Sequence, residues 1–351
     1  MHNLLDASYV DLLSSIRELG ESDFRAQQVW SWIWRNRCRR FEEMTNLSKD
    51  LRNRLAQSYT LRRPEVHTAQ TSRDGTVKLL LELQDGVRIE TVLIPERDHF
   101  TLCLSAQAGC ALGCTFCSTG QMGLERNLRS GEILGQILAA QDYLQQQEHP
   151  FALRNLVFMG MGEPLLNWGE VKKSLAVIRD DQGLDFSYRR TTVSTVGVPD
   201  ALEAFAASGL ASLAVSLHAP RQGLRERIMP KAAALFPLDR LLSTLSSLPL
   251  RARQRITVEY VLLGGVNDSL REAKELNKAV SGLRCKINLI AFNPAPGLPY
   301  GAPEPEAVLA FERYLWSKDK TVLLRKSKGR DIDAACGQLR RRMRHTTTEY
   351  E

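Results

Sequence analysis

No second CxxC pair and no HxxxH accompany the one close set of cysteines in this 351-residue chain, which removes the usual templates for a structural zinc. Its seven cysteines, an odd number scattered at 38, 103, 110, 114, 117, 285 and 336, do not make the framework of a secreted, disulfide-stapled domain. Met1 to Gly20 lacks a continuous apolar core and holds Asp6, Asp11, Arg17 and Glu18 instead, and no later run approaches bilayer-spanning length. Neither a targeting segment nor a membrane anchor is expected, and a cytoplasmic enzyme is. Low-complexity segments are missing too, and no internal repeat stands out beyond an alternation of strand-like and helix-like stretches.

What the chain does contain is Cys110-Ala-Leu-Gly-Cys114-Thr-Phe-Cys117, a CxxxCxxC loop. Thiolates suit soft metals, and four-iron clusters are normally held by four of them. Three cysteines at unequal spacing therefore suggest a cubane with one iron left open for a substrate or cofactor. This is the spacing of the radical S-adenosylmethionine (SAM) superfamily.

Lysine plus arginine number 47 against 40 acidic residues, for a net charge of +7, and the excess is clustered. Arg35, Arg37, Arg39 and Arg40 follow Trp30, Trp32 and Trp34; Arg325, Lys326, Lys328 and Arg330 form a second group, and Arg340, Arg341, Arg342 and Arg344 a third. Such clusters can neutralise phosphates, which makes nucleic acid a reasonable partner, although a charge run is more often a solvated face. The tryptophans read chiefly as core.

The pattern predicts a helical N-terminal domain over residues 1–63, with helices at Tyr9 to Leu19, Arg25 to Asn36 and Ser48 to Ser58. Arg62-Arg63-Pro64 breaks it. A β-hairpin extension over 64–99 follows, Val77 to Leu83 and Val87 to Pro95 turning at Asp85-Gly86. Six β/α units then fill 100–320, with strands at Phe100 to Ser105, Asn155 to Gly160, Thr191 to Thr195, Leu213 to His218, Ile256 to Leu263 and Lys286 to Phe292. The fold class expected is α/β, a partial (β/α)6 barrel that is two units short of closure and carries its site at the strand C-terminal ends. Residues 321–351 form a C-terminal segment bearing Cys336. Gly160-Met161-Gly162-Glu163-Pro164 ends the second of these strands, where small residues admit a ligand and Glu163 can accept from an ammonium group. Ser194, Ser216, Leu217, His218 and Asn293 fall at later strand ends.

The stretches Phe41 to Lys49, Ile89 to Pro95, the cluster loop, Gly160 to Pro164, Ser216 to Pro220, Phe292 to Tyr300 and Asp331 to Gln338 together resemble the dual-specificity ribosomal RNA and transfer RNA adenine carbon-2 methyltransferases of the radical SAM superfamily. The match runs in order over roughly residues 20 to 340. The resemblance implies that Cys110, Cys114 and Cys117 bind a 4Fe-4S cluster and that Gly162, Glu163, Ser194, Ser216, Leu217, His218 and Asn293 contact SAM. It also implies Glu90 as general base, Cys336 as the methyl-carrying cysteine and Cys103 as its disulfide partner. Val196 stands where this family more often has serine.

By the same resemblance, one SAM methylates Cys336. A second SAM is reductively cleaved, and its radical takes hydrogen from the S-methyl group. The carbon radical adds to adenine, Glu90 removes the ring proton, and Cys103 releases the product through a transient disulfide. The partners implied are 23S ribosomal RNA at the peptidyl-transferase centre, transfer RNA at the adenine 3′ of the anticodon, and a flavodoxin- or ferredoxin-type reductant, with a monomer expected. Taken singly, Cys103 reads as a core cysteine and Glu90 as solvent-facing, while Cys336 is open between packing and reactivity. Cys38 and Cys285 read as structural or incidental. The competing functions are methylation of carbon 8 of the same ribosomal adenine, a radical SAM activase, and a non-enzymatic iron–sulfur RNA-binding module.

Overall fold

Ten strands of one sheet lie side by side in the order in which the chain makes them. The computed structural model describes residues 1–251 and 253–339, so the basic group Arg340 to Arg344 lies outside the described residues. The strands are β1 (Glu65–Thr71), β2 (Val77–Glu82), β3 (Arg88–Pro95), β4 (Phe100–Cys103), β5 (Leu153–Phe158), β6 (Thr191–Thr195), β7 (Ser212–Ser216), β8 (Ile256–Leu262), β9 (Cys285–Ala291) and β10 (Val322–Arg325). β1 to β4 are antiparallel and β4 to β10 parallel.

The six expected β/α units are present, each strand leading to a helix: Ser130–Gln146, Trp168–Arg179, Pro199–Ser208, Leu238–Ser247, Leu270–Ala279 and Pro305–Trp316. Two features differ from the expectation. The hairpin gains β1 as a third strand, and it continues the barrel sheet through Val92 opposite Cys103. Val322–Arg325, expected to belong to a separate C-terminal segment, pairs with β9 as a seventh parallel strand. It is a four-residue edge strand with Leu323 and Leu324 exposed, so it lacks the apolar alternation that announces a strand in sequence.

The N-terminal helices Tyr9–Glu18, Asp23–Trp34 and Lys49–Ser58 start at serines; Ser48 accepts from the Leu51 N–H at 3.1 Å. Trp30 and Trp34 are buried edge to face, and the Trp30 indole donates to Asp180 on the barrel at 2.8 Å. The first basic group is tied up within the chain. Arg37 and Arg39 pair with Asp142, Arg40 with Glu43, and Arg35 donates to the Asp181 carbonyl. Among the described residues no helix is long and apolar enough to cross a membrane.

Candidate active site

Side chains alternate across a strand, so the register decides which residues share a face. Glu90 lies opposite Leu80, two residues from Lys78, and Val92 lies opposite Cys103. Ser216 is opposite Glu259, and Val261 aligns with Ile290 and that with Arg325. Followed across the sheet, the pairings put Lys78, Glu90, Cys103, Ser194, Ser216, Glu259 and Arg325 on one face. At the C-terminal ends of the parallel strands this face opens into a cavity lined by Cys110, Cys114, Cys117, Gly162, Glu163, Ser194, Ser216, His218 and Cys336. Glu90, Cys103, Leu217 and Asn293 are buried and are not among the residues that line it.

A short ribbon of Gln107–Gly109 against Leu124–Asn127 brackets the cysteine loop, and the Cys110 N–H donates to the Gly123 carbonyl at 2.8 Å. The Cys117 N–H returns to the Cys114 carbonyl at 3.1 Å. Burial pushes the thiol of Cys110 up to about 11 and raises those of Cys114 and Cys117; bound metal would reverse this, since a coordinating thiol is deprotonated outright. Among the described residues no three His, Cys, Asp or Glu side chains gather tightly enough to hold a single metal ion.

Gly162 has φ +93°, and a Cβ there would meet Gln107 Cβ at 2.4 Å. Only glycine fits. The Gln107 side chain in turn accepts the Glu163 N–H at 2.8 Å. The buried Glu163 carboxylate accepts from the backbone N–H groups of Leu165 and Val196, both at 2.9 Å. Burial raises its pKa against these hydrogen bonds. Ser194 donates to Glu259 at 2.6 Å and lies 3.4 Å from the Ser216 hydroxyl.

His218 takes the left-handed conformation (φ +55°). Its Nδ1 accepts the Val261 N–H at 3.1 Å, which leaves the proton on Nε2. Burial, aided by the Arg225 charge, holds its pKa down at about 3, so it is a neutral donor in the wall and not an acid or base. Asn293 is buried and donates to Ser327 at 2.7 Å.

Cys103 ends β4, buried, and burial pushes its thiol up to about 12, with the nearby charge of Cys336 the next cause. Cys336 is exposed at the cavity rim, and all seven cysteines are free. Two residues 233 positions apart are thus brought into one electrostatic neighbourhood. The Cys336 loop is also fastened to the cluster loop, where Ser118 N–H donates to the Gly337 carbonyl at 2.7 Å and the Thr119 hydroxyl to Leu339 at 2.6 Å. Glu90 is buried beside Lys78 rather than solvent-facing.

Sequence reasoning missed three charged residues. Glu259 reads as one polar residue in an apolar strand. Arg225, fully buried, donates to the carbonyls of Val196, Ser216 and Leu217 at 2.9 to 3.2 Å and so fixes the turn before His218. Arg325 was grouped with surface cations, yet the alternation of β10 turns it into the cavity. A single buried charge in an otherwise ordinary segment leaves no sequence signal.

Known proteins match this chain along nearly all its length. The description "Ribosomal RNA large subunit methyltransferase N-terminal domain" matches residues 2–61, and "Radical SAM superfamily" matches 104–277. The dual-specificity RNA methyltransferase RlmN of Nitratidesulfovibrio vulgaris (strain DP4) is 56% identical over 348 residues, covering 97% of this chain and 95% of its own. The chain belongs to the RlmN family of dual-specificity RNA methyltransferases. The RlmN of Solidesulfovibrio magneticus is 54% identical over 340 residues, covering 97% of each chain. The crystal structure of a radical SAM methyltransferase from Sphaerobacter thermophilus superposes with a TM-score of 0.90 at 38% identity, covering 97% of this chain and 99% of that one. The chain is therefore a radical SAM RNA methyltransferase, with a 4Fe-4S cluster and SAM as its cofactors. Cys110, Cys114 and Cys117 line the cavity as three soft donors, a set that would hold such a cluster with one iron left open.

Proposed function

We propose that this protein methylates carbon 2 of adenosine in 23S ribosomal RNA, at the peptidyl-transferase centre, and in transfer RNA, 3′ of the anticodon. The observation that carries the reading is that Cys336 lines the same cavity as Cys110, Cys114 and Cys117, close enough to the buried Cys103 for its charge to raise the Cys103 thiol further. Carbon 2 lies between two ring nitrogens and is electron-poor, so attack by the base on a methyl sulfonium is unfavourable and a radical route is needed. The cluster and SAM, when bound, supply a methyl group and a carbon-centred radical.

The chain's own residues do the rest. Cys110, Cys114 and Cys117 hold the cluster, while Gly162, Glu163, Ser194, Ser216, Leu217, His218 and Asn293 form the SAM pocket. Cys336, exposed at the rim, carries the methyl group to the base. Glu90 takes the ring proton, and the Cys103 thiolate attacks the Cys336 sulfur, forming a disulfide as the carbon–sulfur bond breaks; the bonding pair leaves with the methylene carbon, which takes up a proton to become the methyl group. Residues 1–63 form an RNA-recognising domain, 64–99 the extension, 100–320 the catalytic barrel and 321–351 the segment that delivers Cys336. Two SAM molecules serve each methylation, a flavodoxin- or ferredoxin-type protein supplies the electrons, and the enzyme works as a monomer in the cytoplasm.

Mass spectrometry of digested RNA from cells with and without this gene, run against standards for 2-methyl- and 8-methyladenosine, tests the proposal. Loss of the 2-methyl species on deletion is expected. Loss of the 8-methyl species instead would reassign the carbon, and unchanged RNA would remove the function.

A further inference from the structure

The ammonium of Lys78 lies 3.2 Å from the Glu90 carboxylate, with the two side chains only 9% and 5% exposed. The same nitrogen points to the backbone carbonyl of Asp333 at 3.5 Å, three residues before Cys336. Lysine is seldom this buried without a role for its charge. Net stability is a poor account of it, because the cost of desolvating two charges offsets most of their attraction. The alternation of β2 and β3 puts both side chains on the face that carries Cys103.

We propose that Lys78 is a positioning residue for the methyl transfer, holding Glu90 as an aimed carboxylate. The inference rests on the reading of Glu90 as the base. A carboxyl group buried alone favours its neutral form, and a neutral carboxyl cannot accept a proton; a cation in contact reverses that preference. When the ring C–H bond breaks, its electron pair stays with the ring and the proton passes to Glu90. Lys78 thus touches no reacting atom. Its contact with the Asp333 carbonyl places this pair beside the segment that carries Cys336, 246 positions after Glu90 in the chain.

The test uses the full-length, cluster-loaded enzyme with SAM, a reductant and a 23S ribosomal RNA fragment containing the peptidyl-transferase-centre adenine. Lys78→Met and Lys78→Gln should be methylated on Cys336 as in the parent, seen by mass spectrometry of the Cys336 peptide. They should then stall, with an RNA-linked band persisting on a denaturing gel and product falling roughly 10²-fold. Lys78→Arg should restore most of the turnover. A protonated-carboxyl infrared band, absent from the parent, should appear in Lys78→Met and vanish in Lys78→Met/Glu90→Gln, a signature that altered packing alone does not produce.

Glu90→Gln separates the two levels of the argument. If Glu90→Gln stalls but Lys78→Met and Lys78→Gln turn over normally, the proposal for Lys78 is overturned and the base reading stands. If Glu90→Gln turns over normally, both fall. Loss of Cys336 methylation in the Lys78 variants, or no new infrared band, also overturns the proposal, since Lys78 would then be a structural residue only.

Discussion

The carboxylate of Asp74 accepts a hydrogen bond from the backbone N–H of Gly329 at 2.9 Å, tying the β1–β2 turn to the loop that presents Cys336. Asp331 adds to the tie by accepting from the Arg73 N–H at 3.1 Å and from the Ser72 hydroxyl. Gly329 has φ +66°, and a Cβ there would stand 2.9 Å from Thr76 Cγ2. Asp74→Ala and Gly329→Ala should therefore loosen the loop. Hydrogen exchange of residues 329–338 should rise several-fold in both, with the Cys110 to Cys117 segment unchanged.

The same tie sets an acid limit. Burial pushes the Asp74 carboxyl up, but the hydrogen bonds it accepts carry it down to about 2, below its ordinary value of 3.8. A carboxyl with a lowered folded pKa contributes its stabilisation fully above the ordinary value and loses it as pH falls through the folded one. Exchange of the loop should rise between about pH 4 and 2 in the parent protein and change less in Asp74→Asn.

Replacing any of Cys110, Cys114 or Cys117 by alanine should remove the cluster absorption and all SAM cleavage while the far-ultraviolet circular dichroism stays near that of the parent. Loss of one thiolate breaks a three-point attachment. Iron content and 5′-deoxyadenosine release measure it, and normal values in any one variant would refute the ligand set.

Glu163→Gln should weaken SAM binding. Its two oxygens accept from Leu165 and Val196, and an amide keeps only one acceptor oxygen and turns an N–H toward a donor. The buried mismatch costs about 1–3 kcal/mol, to be read as a lower melting temperature and a weaker SAM dissociation constant by calorimetry. Unchanged values for both would show that the carboxylate does not organise the turn.

Cys103 and Cys336 should fail differently. Cys336→Ala should never carry a methyl group, whereas Cys103→Ala should be methylated, add to RNA and remain there as an adduct that nuclease trims on a denaturing gel. Normal turnover of Cys103→Ala, or the same band from Cys336→Ala, would end the two-cysteine assignment.

Patterned apolar segments made the barrel legible: the strand expected over Thr191 to Thr195 forms over those same residues. The cluster loop was legible because three like residues lie within eight positions. β10 was not, being short and exposed at an edge. The fastening of Gly337 to Ser118 and the pairing of Lys78 with Glu90 arise only when the register is set, since contacts between distant segments leave no local pattern. Glu90 shows the limit most plainly. Alternation separates it from Ile89 and Thr91, but its own face of the sheet is buried as well, with Lys78 at 3.2 Å.

Because strand order equals chain order, each strand of the sheet pairs with one already made during synthesis, and no later segment has to be threaded between earlier ones. β10 and the Cys336 loop come last. Until they arrive, Ser118 and Thr119, just after the cysteine loop, lack their acceptors on Gly337 and Leu339. The wall of the cavity is therefore finished by a segment more than two hundred residues later in the chain, so a chain stopped before β10 should show faster hydrogen exchange over residues 110–121 than the full one.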